Sequence, residues 1–131
     1  MILILVACKK EKKTTETPTS GNTPNYTLEG LWVLEDYPNT AYIFQNGLRY
    51  TVYCTSTTNC SWDTVTIASA LPVTDPYTFS NDTLRIDLGF GNSSESYIDF
   101  DCGGQVLKYY YSPSQYVRWS RSTFDVSTCF E

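Results

Sequence analysis

The sequence predicts an all-β fold, a small antiparallel up-and-down β-barrel of about eight strands, on three observations. From Tyr26 onward the chain is rich in Tyr, Thr, Val, Ile, Phe and Trp, which favour strands. Apolar residues recur at every second position in several windows, and no window sustains a 3.6-residue apolar period. Short turn signals separate these windows. An open β-sandwich is the alternative that the pattern leaves.

The elements follow in order. Residues 28–35 form the first strand and carry Gly30-Leu31-Trp32. Strands 40–45 and 48–54 flank Asn46-Gly47, which supplies the two positive φ angles of a type I′ hairpin. In the second of these, Leu48, Tyr50, Val52 and Cys54 alternate with Arg49, Thr51 and Tyr53, so the former set is assigned to the core. Residues 62–67 read as a fourth strand. Strands 76–80 and 83–88 flank Asn81-Asp82, with Leu84, Ile86 and Leu88 alternating with Arg85 and Asp87. In 96–102, Ile98, Phe100 and Cys102 alternate with Tyr97, Asp99 and Asp101. Gly103-Gly104 leads into 105–111, and Ser112-Pro113-Ser114 into 116–121. Eight or nine sequential strands on tight turns make a meander, and closing it into a barrel removes exposed edges.

Composition narrows the function. The 131 residues suit one domain. Charged residues are 18% and aromatic residues 15%, which argues against a disordered chain. There is no histidine, which excludes Ser-His-Asp and Cys-His catalysis and any His-based zinc site. Residues 26–131 carry five basic against twelve acidic side chains, a net −7, so binding to nucleic acid is not expected.

The N-terminus reads as a targeting segment. Ile2 to Ala7 is apolar and ends at Cys8, too short to span a bilayer, which needs about 20 apolar residues. Leu5-Val6-Ala7-Cys8 resembles the lipobox of bacterial lipoproteins, in which the chain is cut before the cysteine and the cysteine carries lipid. No basic residue precedes the run, so 1–7 reads as a truncated signal. The alternative is a short N-terminal strand with a buried Cys8. Residues 8–25 hold four lysines and no large apolar group, the composition of a lipidated, disordered tether. Residues 26–131 then form the barrel domain with a disulfide-stapled tail. The resemblance implies a membrane partner through lipid on Cys8 and a place in the bacterial cell envelope, at the outer membrane.

Gly30-Leu31-Trp32 in the first strand and Val117-Arg118-Trp119-Ser120-Arg121 in the last are similar to the lipocalin pattern, where a Gly-x-Trp meets a late arginine. With the lipobox, the tether and the Asn-Gly hairpin, the chain looks like small bacterial lipocalin-like lipoproteins over roughly residues 28–121. The resemblance implies that Gly30, Trp32, Trp119 and Arg121 close one end of the barrel, the guanidinium packing on the Trp32 ring. Alternation puts Arg118 on the outside. The short loops depart from the animal lipocalins, which puts a deep cavity in doubt. Small lysozyme-inhibitor lipoproteins share the architecture but not a recognisable loop motif.

Cys54, Cys60, Cys102 and Cys129 make an even set, with three possible pairings. Cys54–Cys60 as a local clip and Cys102–Cys129 as a staple for the tail are the expected bridges, closing loops of about 7 and 28 residues and contributing roughly 2.4 and 3.6 kcal/mol. No Cys-x-x-Cys spacing occurs, so neither a metal nor another cofactor is expected. Glu35-Asp36 face opposite sides of a strand. Asp99 and Asp101 share a face about 7 Å apart and, with Asp87, have Ca²⁺-ligand chemistry, though a solvated face is the simpler reading.

Eleven tyrosines are the most unusual feature. Tyr combines an apolar ring with a polar tip, which suits a pocket wall or a contact surface. Tyr50, Tyr109 and Tyr111 are the candidates for lining a pocket. The expected function is non-enzymatic binding of a small apolar or amphipathic ligand. The alternative is a protein-interaction or inhibitor domain that uses a tyrosine-rich acidic surface. An interior pocket of about 300 Å³ or more favours the first, and a filled barrel the second.

Overall fold

A computed structural model describes residues 26–55 and 60–129. The expected lipid site at Cys8 and the expected signal (1–7) and tether (8–25) lie outside the described residues. Eight antiparallel strands close into one barrel in sequential order. They are β1 (Gly30–Leu34), β2 (Thr40–Gln45), β3 (Leu48–Tyr53), β4 (Thr74–Ser80), β5 (Thr83–Gly89), β6 (Asn92–Asp101), β7 (Val106–Ser112) and β8 (Gln115–Ser120). The barrel is therefore the predicted one, and the sandwich is set aside.

The turns carry the chemistry expected of them. Asn46 and Gly47 have φ of 54° and 80°, Asn81 and Asp82 of 51° and 61°, which matches the right-handed strand twist. A third such turn, Phe90-Gly91, lets β5 run straight into β6, so β6 begins at Asn92 rather than at 96. Its polar start, Asn92 to Glu95, is extended because it pairs with β5.

Residues 62–67 are not a strand. They form 3-10 turns at Trp62–Thr64 and Ile67–Ser69, within the long β3–β4 connection. Each barrel strand already has two neighbours, which leaves no partner for a ninth. The Thr66 hydroxyl accepts from Ala68 N and holds the second turn locally.

β3 is inverted relative to the expectation. A two-residue loop pairs Gln45 with Leu48 and hence Phe44 with Arg49, and directly paired residues share a face. Phe44 is wholly buried in the core, so Arg49 and Thr51 point into the barrel while Tyr50 and Val52 point out. The β3–β4 connection runs back along β3, with Leu71 N donating to Thr51 O at 2.9 Å. Ala41, Ile43 and Val52 are buried although they face away from the barrel interior.

The interior holds Trp32, Phe44, Leu84, Ile86, Ile98, Leu107 and Trp119, all buried, with Tyr77, Phe79, Phe100, Tyr109 and Val117 packed against them. The expected inward sets on β5 and β6 hold for Leu84, Ile86, Ile98 and Phe100, whereas Leu88 lies half-exposed at the rim. The disulfides are Cys54–Cys60 and Cys102–Cys129, each with Cα atoms 5.8 Å apart. The first clips the start of the β3–β4 connection, and the second ties the tail to the β6–β7 turn.

Candidate functional site

The strands' alternate ends give the barrel a closed end and a mouth. At the closed end, residues 26–29 cross the bottom as a strap. Trp32 Nε1 donates to Leu28 O at 2.8 Å, which satisfies the indole of a fully buried ring. The Arg121 guanidinium lies 3.8 Å from the Trp32 ring centroid. Its Nη1 and Nη2 donate to Glu29 O at 2.8 Å and Thr27 O at 3.1 Å. One side chain therefore covers the plug and ties down the strap. Burial lowers the Arg121 pKa from its ordinary value, but an arginine so placed stays charged at neutral pH.

Two glycines make room for this lid. Gly30 has φ of +110°, and a Cβ there would lie 2.6 Å from Arg121 Nη1. At Gly104, φ is +87° and a Cβ would lie 2.5 Å from the Tyr26 ring. Tyr26 then packs on Phe100 at 5.6 Å. Tyr77 OH donates to Glu29 Oε2 at 2.9 Å, and burial with the adjoining carboxylate raises its pKa to about 12. Arg118 lies on the outer face opposite Lys108, with Nη1 3.7 Å from Glu35.

At the mouth the core opens into a recess of about 160 Å³. Tyr42, Tyr109 and Trp119 form its aromatic wall, with Leu34, Tyr37 and Arg49 around it. Trp119 therefore lies here and not at the closed end, where the resemblance puts it beside Trp32 and Arg121. Tyr109 stacks on Trp119 at 4.8 Å and 17°, and Tyr42 meets Trp119 edge-on at 5.2 Å. Arg49 lies 4.4 Å from the Tyr42 ring centroid, and its Nη2 donates to Asp75 Oδ2 at 2.6 Å. Both partners of this pair are mostly buried, at 15% and 18% exposure. Burial raises the Tyr42 pKa, and the Arg49 charge opposes that rise. Below this wall core side chains fill the middle of the barrel, so this recess falls short of the roughly 300 Å³ of a typical small-molecule pocket. A wider open cleft of about 740 Å³ lies at the strap end beside Glu29, Tyr77, Phe79 and Phe100.

The three tyrosine candidates are separated. Tyr109 lines the recess. Tyr50 faces outward with Ile43, so it does not reach the interior. Tyr111 is the extra residue of a bulge in β7, where Tyr110 pairs with Tyr116 and Ser112 with Gln115, and it stands 58% exposed. Sequence reasoning missed Tyr42, Arg49 and Asp75. The two-residue Asn46-Gly47 turn was the available signal for Arg49, because it fixes Arg49 opposite Phe44.

Two of the three carboxylates expected to offer cation-ligand chemistry have other partners. Asp101 Oδ2 lies 3.4 Å from Lys108 Nζ, and Asp87 Oδ1 accepts from Gly89 N at 2.9 Å. Among the described residues no three acidic or cysteine side chains converge as a metal site. Comparison of the chain with family models, with curated proteins and with solved structures gives no match.

Proposed function

We propose that this protein is a non-enzymatic binding module, tethered to a bacterial outer membrane by lipid on Cys8, whose mouth takes one ring-sized part of a small amphipathic ligand. The recess beside Tyr42, Tyr109 and Trp119 carries this reading. An apolar space of about 150 Å³ holds one benzene-sized group, and 160 Å³ is on that scale. Two stacked or edge-on aromatic walls favour a ring, and the Arg49–Asp75 pair offers polar atoms beside it. A whole fatty acyl chain has no room, because Leu84, Ile86 and Ile98 occupy the barrel centre. The lipocalin-like motifs and the lipobox support the tether and the envelope location, and the lack of histidine supports a binding rather than a catalytic role.

The test is an NMR titration of the full chain with p-cresol and, separately, with palmitate. Shift changes centred on Tyr42, Tyr109 and Trp119 with p-cresol, lost in Tyr109→Ala, are the expected result. Silence with p-cresol removes the mouth as a site. Palmitate shifts spreading through Ile86 and Ile98 would show that the interior opens. Mass spectrometry of the mature N-terminus checks the anchor, and an unmodified Cys8 ends that part of the proposal.

A second reading rests on the filled interior itself: recognition by the outer, tyrosine-bearing surface, with the barrel as a scaffold.

A further inference from the structure

The outer face of β6, β7 and β8 carries a row of aromatic rings. Register places Tyr97 opposite Tyr110 and Tyr110 opposite Tyr116. The ring centroids are 5.6 and 5.2 Å apart, tilted by 53° and 48°. Tyr97 is 51% exposed and Tyr116 37%. The β7 bulge adds a fourth ring. An inserted residue disturbs strict alternation and re-aims its side chain, and Tyr111 joins Tyr97 and Tyr110 along one surface groove instead of following Tyr109 inward. Glu95, Ser112 and Pro113 complete that groove, whose volume of about 630 Å³ lies within the range of small-molecule sites.

Charge and shape select the ligand. The cations of this face are already paired, Arg85 with Glu95, Lys108 with Asp101 and Arg118 with Glu35. Desolvation raises the Tyr97 pKa, and the further carboxylates Asp99 and Asp82 lie close enough to raise it too, so the face repels an anionic ligand. The groove thus offers a neutral ligand several ring faces, three phenol hydroxyls, a serine hydroxyl and a carboxylate. Rings tilted by about 50° make a trough and not a flat platform. A planar base wants parallel faces, and the acidic domain repels its phosphates. The closed barrel leaves no strand edge for a peptide to extend. A pyranose ring fits these terms. Its C–H face meets the negative face of an aromatic ring, and its hydroxyls find the phenols, Ser112 and Glu95.

We propose that the Tyr97–Tyr110–Tyr111 groove is a carbohydrate-binding site that takes two or three neutral sugar units. It deepens the surface-recognition reading and is independent of the mouth. The experiment is an NMR titration of the full chain with cellohexaose, mannohexaose, chitohexaose and a proline decamer. At least one hexasaccharide is expected to shift Tyr97, Tyr110 and Tyr111 saturably. Tyr97→Ala and Tyr110→Ala should each weaken that binding about tenfold, the loss of one stacked ring. Tyr37→Ala, at the mouth, should leave it unchanged. Both replaced rings are on the surface, and the variants' melting curves confirm that they fold. No response to any of the three sugars overturns the proposal, as does binding that survives both tyrosine replacements. A response to the proline decamer alone overturns it in favour of a peptide groove while keeping surface recognition. A p-cresol response without a sugar response leaves the mouth standing and this groove refuted.

Discussion

Each end of the barrel stacks an arginine on an aromatic ring, and the two ends use it differently. At the closed end Arg121 covers Trp32 at 3.8 Å and donates to two backbone carbonyls of the strap. Its partners are fixed main-chain atoms, so the contact locks the fold. At the mouth Arg49 covers Tyr42 at 4.4 Å and donates to the side chain of Asp75. There both partners are side chains beside an open recess. The contrast separates structure from function along one axis. At the closed end Trp32 is wholly buried and the Arg121 contacts that hold the strap lie at the surface, while the mouth keeps an aromatic wall and a mostly buried ion pair beside an open recess.

The largest expected break in this contrast is Trp32→Ala. Removing a fully buried indole leaves a cavity and should cost about 3–5 kcal/mol in urea melts. A near-neutral result would mean that the plug does not organise the closed end.

The next prediction compares the two arginines directly. Arg121→Ala removes the stack and leaves two carbonyls of exposed strap residues to water, for a loss of about 1–2 kcal/mol. Arg49→Ala strands Asp75, a carboxylate only 18% exposed, and should cost more, about 2–4 kcal/mol. Replacing both Arg49 by Met and Asp75 by Leu should recover most of that loss, since packing replaces a paired charge. Equal effects at the two arginines would erase the distinction between the ends.

Alkaline pH sharpens the closed end further. The Tyr77 pKa of about 12 lies above its unfolded value near 10. The folded state therefore holds the phenolic proton more tightly. The contribution is fully present below pH 10 and is lost as pH rises from 10 through 12. Stability measured across that window should fall, and Tyr77→Phe should flatten part of the slope. An unchanged slope in Tyr77→Phe would assign the fall to other tyrosines, Tyr42 among them.

The smallest effect belongs to the outer surface. Arg118→Ala should change stability by no more than about 0.5 kcal/mol, because its ion pair with Glu35 is long and solvated. A larger loss would show that the rim, and not only the two ends, is structurally tied.

Much of the closed end was legible in the sequence. Gly30, Trp32 and Arg121 sit in short motifs whose order along the chain matches the first and last strands, and a barrel must bring those strands together. The pairing of Cys54 with Cys60 and of Cys102 with Cys129 followed from proximity to turns. The mouth was largely illegible. Arg49 reads as a solvent-facing residue when alternation is judged by polarity alone, because Tyr50 and Val52 look like core. They face outward, where Val52 is buried and Tyr50 half-buried.

By itself the sequence determined the class of fold, the Asn46-Gly47 and Asn81-Asp82 turns and the inward sets of β5, β6 and β8 at Leu84, Ile86, Ile98, Phe100 and Trp119, because those depend on local backbone preference and on one buried face per strand. The tertiary structure decided which face of β3 is inside, how much space remains in the barrel and where Tyr111 points. Each of these depends on more than one strand. The first is set by the register that puts Arg49 opposite the buried Phe44 of β2, the second is the difference between barrel volume and the summed side chains that fill it, and the third turns on a one-residue bulge between β7 and β8 that no local propensity records.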